Sequence, residues 1–412
     1  MPLIQPFKAL RPATGRAADI IAPPYDVLSS DEARVRAAGK PWSFLHISKP
    51  EIDLPAGTDL YSPPVYAKAA ENLQKMLDAG IITRDDKPCY YVYRIIMGSH
   101  VQTGFVAAAS VIEYDSNRIK KHEFTRPDKE DDRVRQIEAL NGQTGPVFLA
   151  YPDAPAIDAV LSATVAGAPD ADATADDGIR HTLWVIRDAE TIAQISRYFD
   201  ALPALYIADG HHRSAAASRV AAARRSANPH HSGEESYNYF LSVIFPAHVL
   251  KIMDYNRVVC DLNGLSKEAL IARIGAGYTV TAAAAPVKPA AHGEVGMYLA
   301  GQWYKLNIKP ELIPTDPVAR LDVSLLTEHV LTPVLGIADL RRDKRIDFVG
   351  GIRGLPELEK RVNSGEMAVA FAMCATTMSD LMSVADSGQV MPPKSTWFEP
   401  KLADGMASHV LD

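Results

Sequence analysis

Apolar residues recur at helical spacing from Pro64 to Ala79, at Val65, Ala69, Leu73, Met76 and Leu77, and Gly80 stops the pattern. A second helical run follows Arg213, where six of the ten residues from Ser214 to Ala223 are alanine. Ser29-Ser30-Asp31-Glu32 supplies capping side chains for a helix after the extended Ile20–Leu28 segment. Further helices are expected over Leu265–Gly275, Asp322–Val334 and Met378–Ala385.

Period-two or continuous apolar runs predict strands at Tyr90–Ile96 and Gln102–Ala108, with Gly98-Ser99 as a hairpin turn between them. Others fall at Pro146–Tyr151, His181–Ile186, Leu205–Ala208, Phe240–Phe245 and Met367–Met373. Ala154 to Asp177, rich in alanine and aspartate, reads as a helix followed by an exposed loop, and Ala282 to Ala291 as an Ala/Pro linker. Hairpins intermingle with helices, so an α+β architecture of mixed sheets with flanking helices fits better than strict βαβ alternation. The expected division is an N-terminal region, 1–245, carrying a phosphate-binding unit, and a C-terminal substrate-binding region, 246–412.

Composition narrows the function. Among 412 residues, 47% are hydrophobic and 23% charged, which suits a folded globular chain. A net charge of −7 without a basic arm argues against nucleic acid as partner. Cys89, Cys260 and Cys374 are widely spaced, so reduced thiols in a cytoplasmic protein are expected rather than a disulfide framework. The opening residues lack a charged segment before an apolar run, and nothing approaches the ~18 apolar residues of a membrane span.

The strongest chemical signal is a strand running into Asp209-Gly210-His211-His212-Arg213 and then a helix. The first amides of a helix lack intrahelical acceptors and attract an anion, and Gly210 permits the tight turn. Two imidazoles and the forked Arg213 add donors suited to phosphate. Asp209 could hold an attacking group, orient a histidine or meet a metal ion; a plain helix cap with solvated histidines is the competing reading. A zinc site at this turn lacks a third ligand at suitable spacing, so no protein metal ligand is assigned.

A second signal is the polar block Lys120–Arg135. Glu123 sits between His122 and Phe124, where partial burial would tune it as a general base, and Arg126 and Arg133 are within reach of a phosphate. The third is Pro393-Lys394-Ser395-Thr396, adjacent hydroxyls beside a lysine in a proline-rich loop. No glycine-rich P-loop or dinucleotide motif is present.

Ile4–Pro12, Ala22–Val27, Lys121–Thr125 and Ala208–Arg213 together resemble a bacterial domain-of-unknown-function family, DUF1015, often labelled ParB-like. Part of the chain also resembles the free serine kinases of the ParB/sulfiredoxin superfamily, which move a phosphoryl group from ADP or ATP to L-serine. The matching segments are His122-Glu123, Asp209–Arg213, Gly365-Glu366 with its strand, and Pro393–Thr396, in the same order. The kinases carry a basic and an imidazole side chain where this chain offers Cys374 and Phe398.

The resemblance implies a ParB/sulfiredoxin-like nucleotide-binding unit and a phosphotransferase interconverting L-serine and O-phosphoserine, in either direction, as in serine biosynthesis. It implies Glu123, Asp209 and His212 as catalytic residues. Gly210, His211, Arg213, His122 and Arg126 would bind phosphate or nucleotide, and Lys394, Ser395 and Thr396 the amino acid. It further implies Mg²⁺, ADP or ATP as cosubstrate, and a homodimer as the candidate assembly. The alternative is a ParB-like nucleotide-binding regulator without small-molecule turnover. A sulfiredoxin-like reaction needs a cysteine in the phosphate turn, where this chain has histidine.

Overall fold

A computed structural model describes residues 2–412. The chain forms two compact units, Met1–Leu250 together with Pro400–Asp412, and Lys251–Glu399. The last residues of the chain therefore belong to the first unit.

The first unit is built on a nine-stranded sheet. Its strands run in the order Ile119–Lys120, Leu205–Asp209, Val147–Tyr151, Tyr239–Pro246, His100–Ser110, Tyr90–Met97, Arg180–Ile186 and Ala171–Thr174, with Ile4–Gln5 pairing beside His100–Ser110. Two neighbouring pairs are parallel, Leu205–Asp209 with Ile119–Lys120 and Tyr239–Pro246 with Val147–Tyr151, and the rest antiparallel. The mixed α+β class follows directly. Tyr90–Met97 and His100–Ser110 form the expected hairpin, in register from Tyr91 opposite Val106 to Met97 opposite His100.

The expected loop after the alanine-rich helix is otherwise. The helix ends at Val165, and Ala171–Thr174 pairs at the sheet edge, where Asp172 meets Arg180 and Thr182 by side-chain hydrogen bonds. Polar cross-strand contacts thus hold a strand that its composition does not announce.

The core under this sheet is aromatic and β-branched. Phe199 meets Phe105 and Tyr151 edge-on, with ring centroids 5.7 and 5.6 Å apart. Each such fully buried ring contributes on the order of 2–3 kcal/mol by area alone. Two helices, Pro127–Leu140 and His211–Ala227, pack together, burying Ile137 against Ala217, Val220 and Ala221. Arg219 ties them at the surface through Glu130 (3.2 Å) and Asp131 (2.7 Å). A four-stranded sheet joins Ile82–Arg84, Ala9–Pro12, Ser408–Val410 and Gly142–Gln143, so the chain's tail is a central strand of it.

The second unit has a six-stranded antiparallel sheet, in the order Tyr278–Ala283, Gln302–Ile308, Glu294–Leu299, Val369–Met373, Tyr255–Val259 and Ile346–Gly350. Helices Lys267–Ile274 and Met378–Asp386 lie close to the expected bounds. The helix expected over Asp322–Val334 is α-helical only to Leu326 and widens into a π-helical stretch, Thr327–Leu331. The Thr327 hydroxyl donates to the Val323 carbonyl 2.6 Å away, a side-chain bond of the kind that bends a helix. Among the described residues, no helix is long and apolar enough to cross a membrane.

Candidate functional site

The site in the first unit starts from a strand irregularity. Leu205–Asp209 pairs with Val147–Tyr151, but the register shifts between Ile207 and Asp209, a bulge that re-aims Asp209 at the strand end. Gly210 follows in the left-handed region at φ 100°, and the helix starts at His211. A Cβ at Gly210 would lie 3.0 Å from Nε of Arg213, so the guanidinium covers the glycine backbone. The amides of Arg213 and Ser214 bond to the Gly210 carbonyl, and those of His211 and His212, ahead of them, have no intrahelical acceptor.

Glu123 arrives from the segment between Ile119–Lys120 and the helix Pro127–Leu140. Its Oε2 lies 3.5 Å from Nδ1 of His211. The other ring nitrogen of His211 accepts from the backbone N–H of His122 at 3.4 Å, so the neutral ring carries its proton on Nδ1, toward Glu123. The rings of His122 and His211 meet edge-on at 4.5 Å, and both are buried. Burial drives the His211 pKa well below the ordinary range, with His122 adding to the effect. Burial likewise pushes His122 down to about 4, against a smaller raising effect from the Ile207 backbone. No ring nitrogen of His122 reaches an acceptor in good hydrogen-bond geometry. Both rings are thus neutral at pH 7.

His212 accepts the Arg126 backbone N–H on Nε2 at 3.0 Å, and burial lowers its pKa too. The Arg126 side chain is exposed and pairs with Asp128 at 2.7 Å, so the backbone rather than the guanidinium joins the site. Glu123 also departs from expectation: its side chain is 51% exposed, not buried between His122 and Phe124. Phe124 itself is exposed and provides no cover.

Asp209 is held by two cations. Lys401 Nζ lies 3.2 Å from Oδ2, and Arg213 3.8 Å from Oδ1. Burial alone would raise this carboxyl, but Lys401 and Arg213 outweigh it and hold it well below the usual range. Arg213 also donates to the Pro146 carbonyl. Behind the turn lies a cavity of about 30 Å³, lined by Tyr25, Ser48, Arg133, Gly145, Arg213 and Asp404 among others. That is room for one or two water molecules. Arg133 stacks over the Tyr25 ring at 3.9 Å and pairs with Asp132, so it faces this cavity. Asp404 is 2% exposed with one oxygen lacking a hydrogen-bond partner, and burial lifts its pKa to about 7 despite Arg213.

His122, Glu123, Asp209, Gly210, His211, His212 and the Arg126 backbone therefore share one corner of the first unit, with Arg213 turned behind it. Lys394, Ser395 and Thr396 belong to the second unit. There the Lys394 carbonyl accepts from Arg257 at 3.0 Å, and the Ser395 hydroxyl donates to the Pro392 carbonyl at 2.7 Å. Lys401 and Asp404 escaped sequence reasoning, because only the folded chain shows which distant element they join. Tyr25 was legible as the end of the Ala22-Pro23-Pro24-Tyr25-Asp26 run but not as a cavity wall.

Asp209 already faces Lys401 and Arg213, so this donor set does not fit a protein-held Mg²⁺ ion. Chemically, the corner offers a carboxylate oriented by a neutral imidazole donor, beside two helix-opening amides.

Among solved structures, the chain is similar to a free serine kinase variant in complex with AMP: 14% identity and TM-score 0.36, covering 71% of this chain and 87% of that one. A conserved hypothetical protein from Pyrococcus furiosus gives 17% identity and TM-score 0.36, over 76% and 97% of the two chains. SbnI with a C-terminal truncation, from Staphylococcus aureus, gives 12% and 0.31, over 73% and 85%. No curated protein matches the sequence. Residues 4–324 match the family described as protein of unknown function, DUF1015, and the chain belongs to that family.

Proposed function

We propose that this protein is a phosphotransferase that interconverts L-serine and O-phosphoserine with ADP or ATP as the nucleotide partner. The observation that carries the reading is the approach of Glu123 to His211, 3.5 Å, at the residue that opens a helix, where the first amides lack intrahelical acceptors. The motif order His122-Glu123, then Asp209 to Arg213, supports the same chemistry.

In this reading the terminal phosphoryl group sits over the His211 and His212 amides, where the helix dipole favours negative charge. Glu123 accepts the proton of the serine hydroxyl as its oxygen forms the new P–O bond. The bond to the leaving nucleotide oxygen breaks in the same displacement, and the electron pair leaves with AMP or ADP. Neutral His211 donates to Glu123 and keeps the carboxylate aimed. Positioning and electrostatics do most of the work, as phosphoryl transfer demands.

The test is phosphorus NMR of the purified protein with L-serine plus ADP or ATP, and separately with O-phosphoserine plus AMP or ADP. Formation of O-phosphoserine or its consumption supports the reading. No phosphorus exchange in any combination overturns it.

A further inference from the structure

Outside the phosphate turn, the second unit gathers ligand-type side chains from three separate elements. His292 precedes strand Glu294–Leu299, Asp322 opens helix Asp322–Leu326, and Cys374 follows strand Val369–Met373. One donor atom from each lies within 4.8 Å of the other two. We propose that His292, Asp322 and Cys374 bind a zinc ion, with Asp380 as the positioning residue for the imidazole.

The chemistry of each group fits. Asp322 is buried, and its Oδ1 is taken by the Gly293 amide at 2.7 Å, which leaves Oδ2 facing His292 Nδ1 at 3.0 Å. The opposite ring nitrogen, Nε2, lies 3.1 Å from Asp380 Oδ2. Asp380 is itself pinned, accepting from the Thr377 amide and hydroxyl at 3.0 and 2.6 Å. A carboxylate fixed on one nitrogen sets the proton there and turns the other lone pair toward the ion, the usual outer support of a zinc-bound histidine. Nδ1 is then the free electron pair, on the side of Asp322 and Cys374.

Thiolate, imidazole and carboxylate together select a borderline-soft ion over magnesium or calcium. Tetrahedral zinc, with bonds of ~2.0–2.3 Å, sets its donors roughly 3.5 Å apart, which falls between the 3.0 Å of the His292–Asp322 pair and the 4.8 Å that bounds the cluster. Three protein donors leave the fourth position to water or a ligand. His292, nearly half exposed, provides the entry side.

The bland alternative is an imidazolium bridging Asp322 and Asp380. Titration of the metal-free full-length protein with cobalt(II) separates the two. Zinc-site binding gives a thiolate-to-cobalt charge-transfer band in the near ultraviolet that saturates at one ion per chain and is displaced by zinc. The band is expected to vanish in Cys374→Ser, persist in Cys260→Ser, and need about 10–100-fold more cobalt in Asp380→Asn. In the unsubstituted protein, zinc should also slow alkylation of Cys374. Absence of the band, a band unchanged in Cys374→Ser, or alkylation that zinc leaves unchanged overturns the proposal.

Discussion

Lys401 Nζ rests 3.2 Å from Asp209 Oδ2, so the returning tail of the first unit delivers the main counter-charge to the strand end that opens the phosphate turn. The two residues stand 192 positions apart. The contact makes the turn's electrostatics depend on the tail: Asp209 keeps its charge because a lysine from beyond residue 400 reaches it.

That dependence is measurable. A double-mutant cycle of Lys401→Met with Asp209→Asn should return a coupling of about 1–2 kcal/mol in urea unfolding. This lies between the 3–5 kcal/mol of breaking a fully buried pair and the values below ~1 of a surface pair, because both side chains are a quarter to a third exposed. Additive single effects would show that Lys401 merely lies nearby.

For the proposed base, Glu123→Gln keeps the shape and an acceptor toward His211 but cannot take a proton. Turnover with serine should fall about 10²–10⁴-fold, the usual weight of a general base, while ADP affinity by calorimetry stays within a few fold. Full activity in this variant removes Glu123 from the chemistry. Loss of nucleotide binding would instead assign it to the phosphate.

Much of this corner was readable along the chain because it is local. A short apolar strand, a glycine and an alanine helix announce the bend at Asp209–Arg213, and the amides of His211 and His212 follow from helix geometry alone. What could not be read is non-local. Glu123 reaches His211 across 87 intervening positions, and its exposure depends on where Phe124 points, which is outward. Asp404 looks like an ordinary tail aspartate until the tail folds back to line the cavity. The edge strand Ala171–Thr174 is held by Arg180 on its neighbour, and the widening after Leu326 accompanies the Thr327 hydroxyl's bond to the Val323 carbonyl. Propensity carries neither signal.

Gly210 is a sharper test of the turn. Alanine there must adopt φ near 100° and place a methyl about 3.0 Å from the Arg213 guanidinium. The backbone term costs on the order of 1–3 kcal/mol, and moving Arg213 disturbs its bond to Pro146 as well. Gly210→Ala should lower the melting temperature and weaken phosphate-group binding by calorimetry with ADP. Unchanged stability and affinity would mean the turn is not the tight cradle described.

Asp404 makes a pH prediction whose sign differs from that of three buried histidines. Its folded pKa is raised to about 7, above the ~3.9 of an unfolded aspartate. Between those values the folded chain holds a proton that the unfolded chain has lost. The stability it contributes is therefore complete below pH ~4 and disappears as pH rises toward 7. His122, His181 and His409, each pushed down to about 4 chiefly by burial, act oppositely and remove stability as pH falls from ~6.5 to 4. The wild-type curve mixes the two, so the informative quantity is the difference between Asp404→Asn and wild type, in which the histidines cancel. That difference should move in favour of the variant by on the order of 3–4 kcal/mol from pH 4 to pH 8, followed by urea unfolding. A flat difference would mean that the carboxyl beside Arg213 is ionised throughout, its charge fully met by the guanidinium, and that the cavity behind the phosphate turn carries no neutral acid at pH 6.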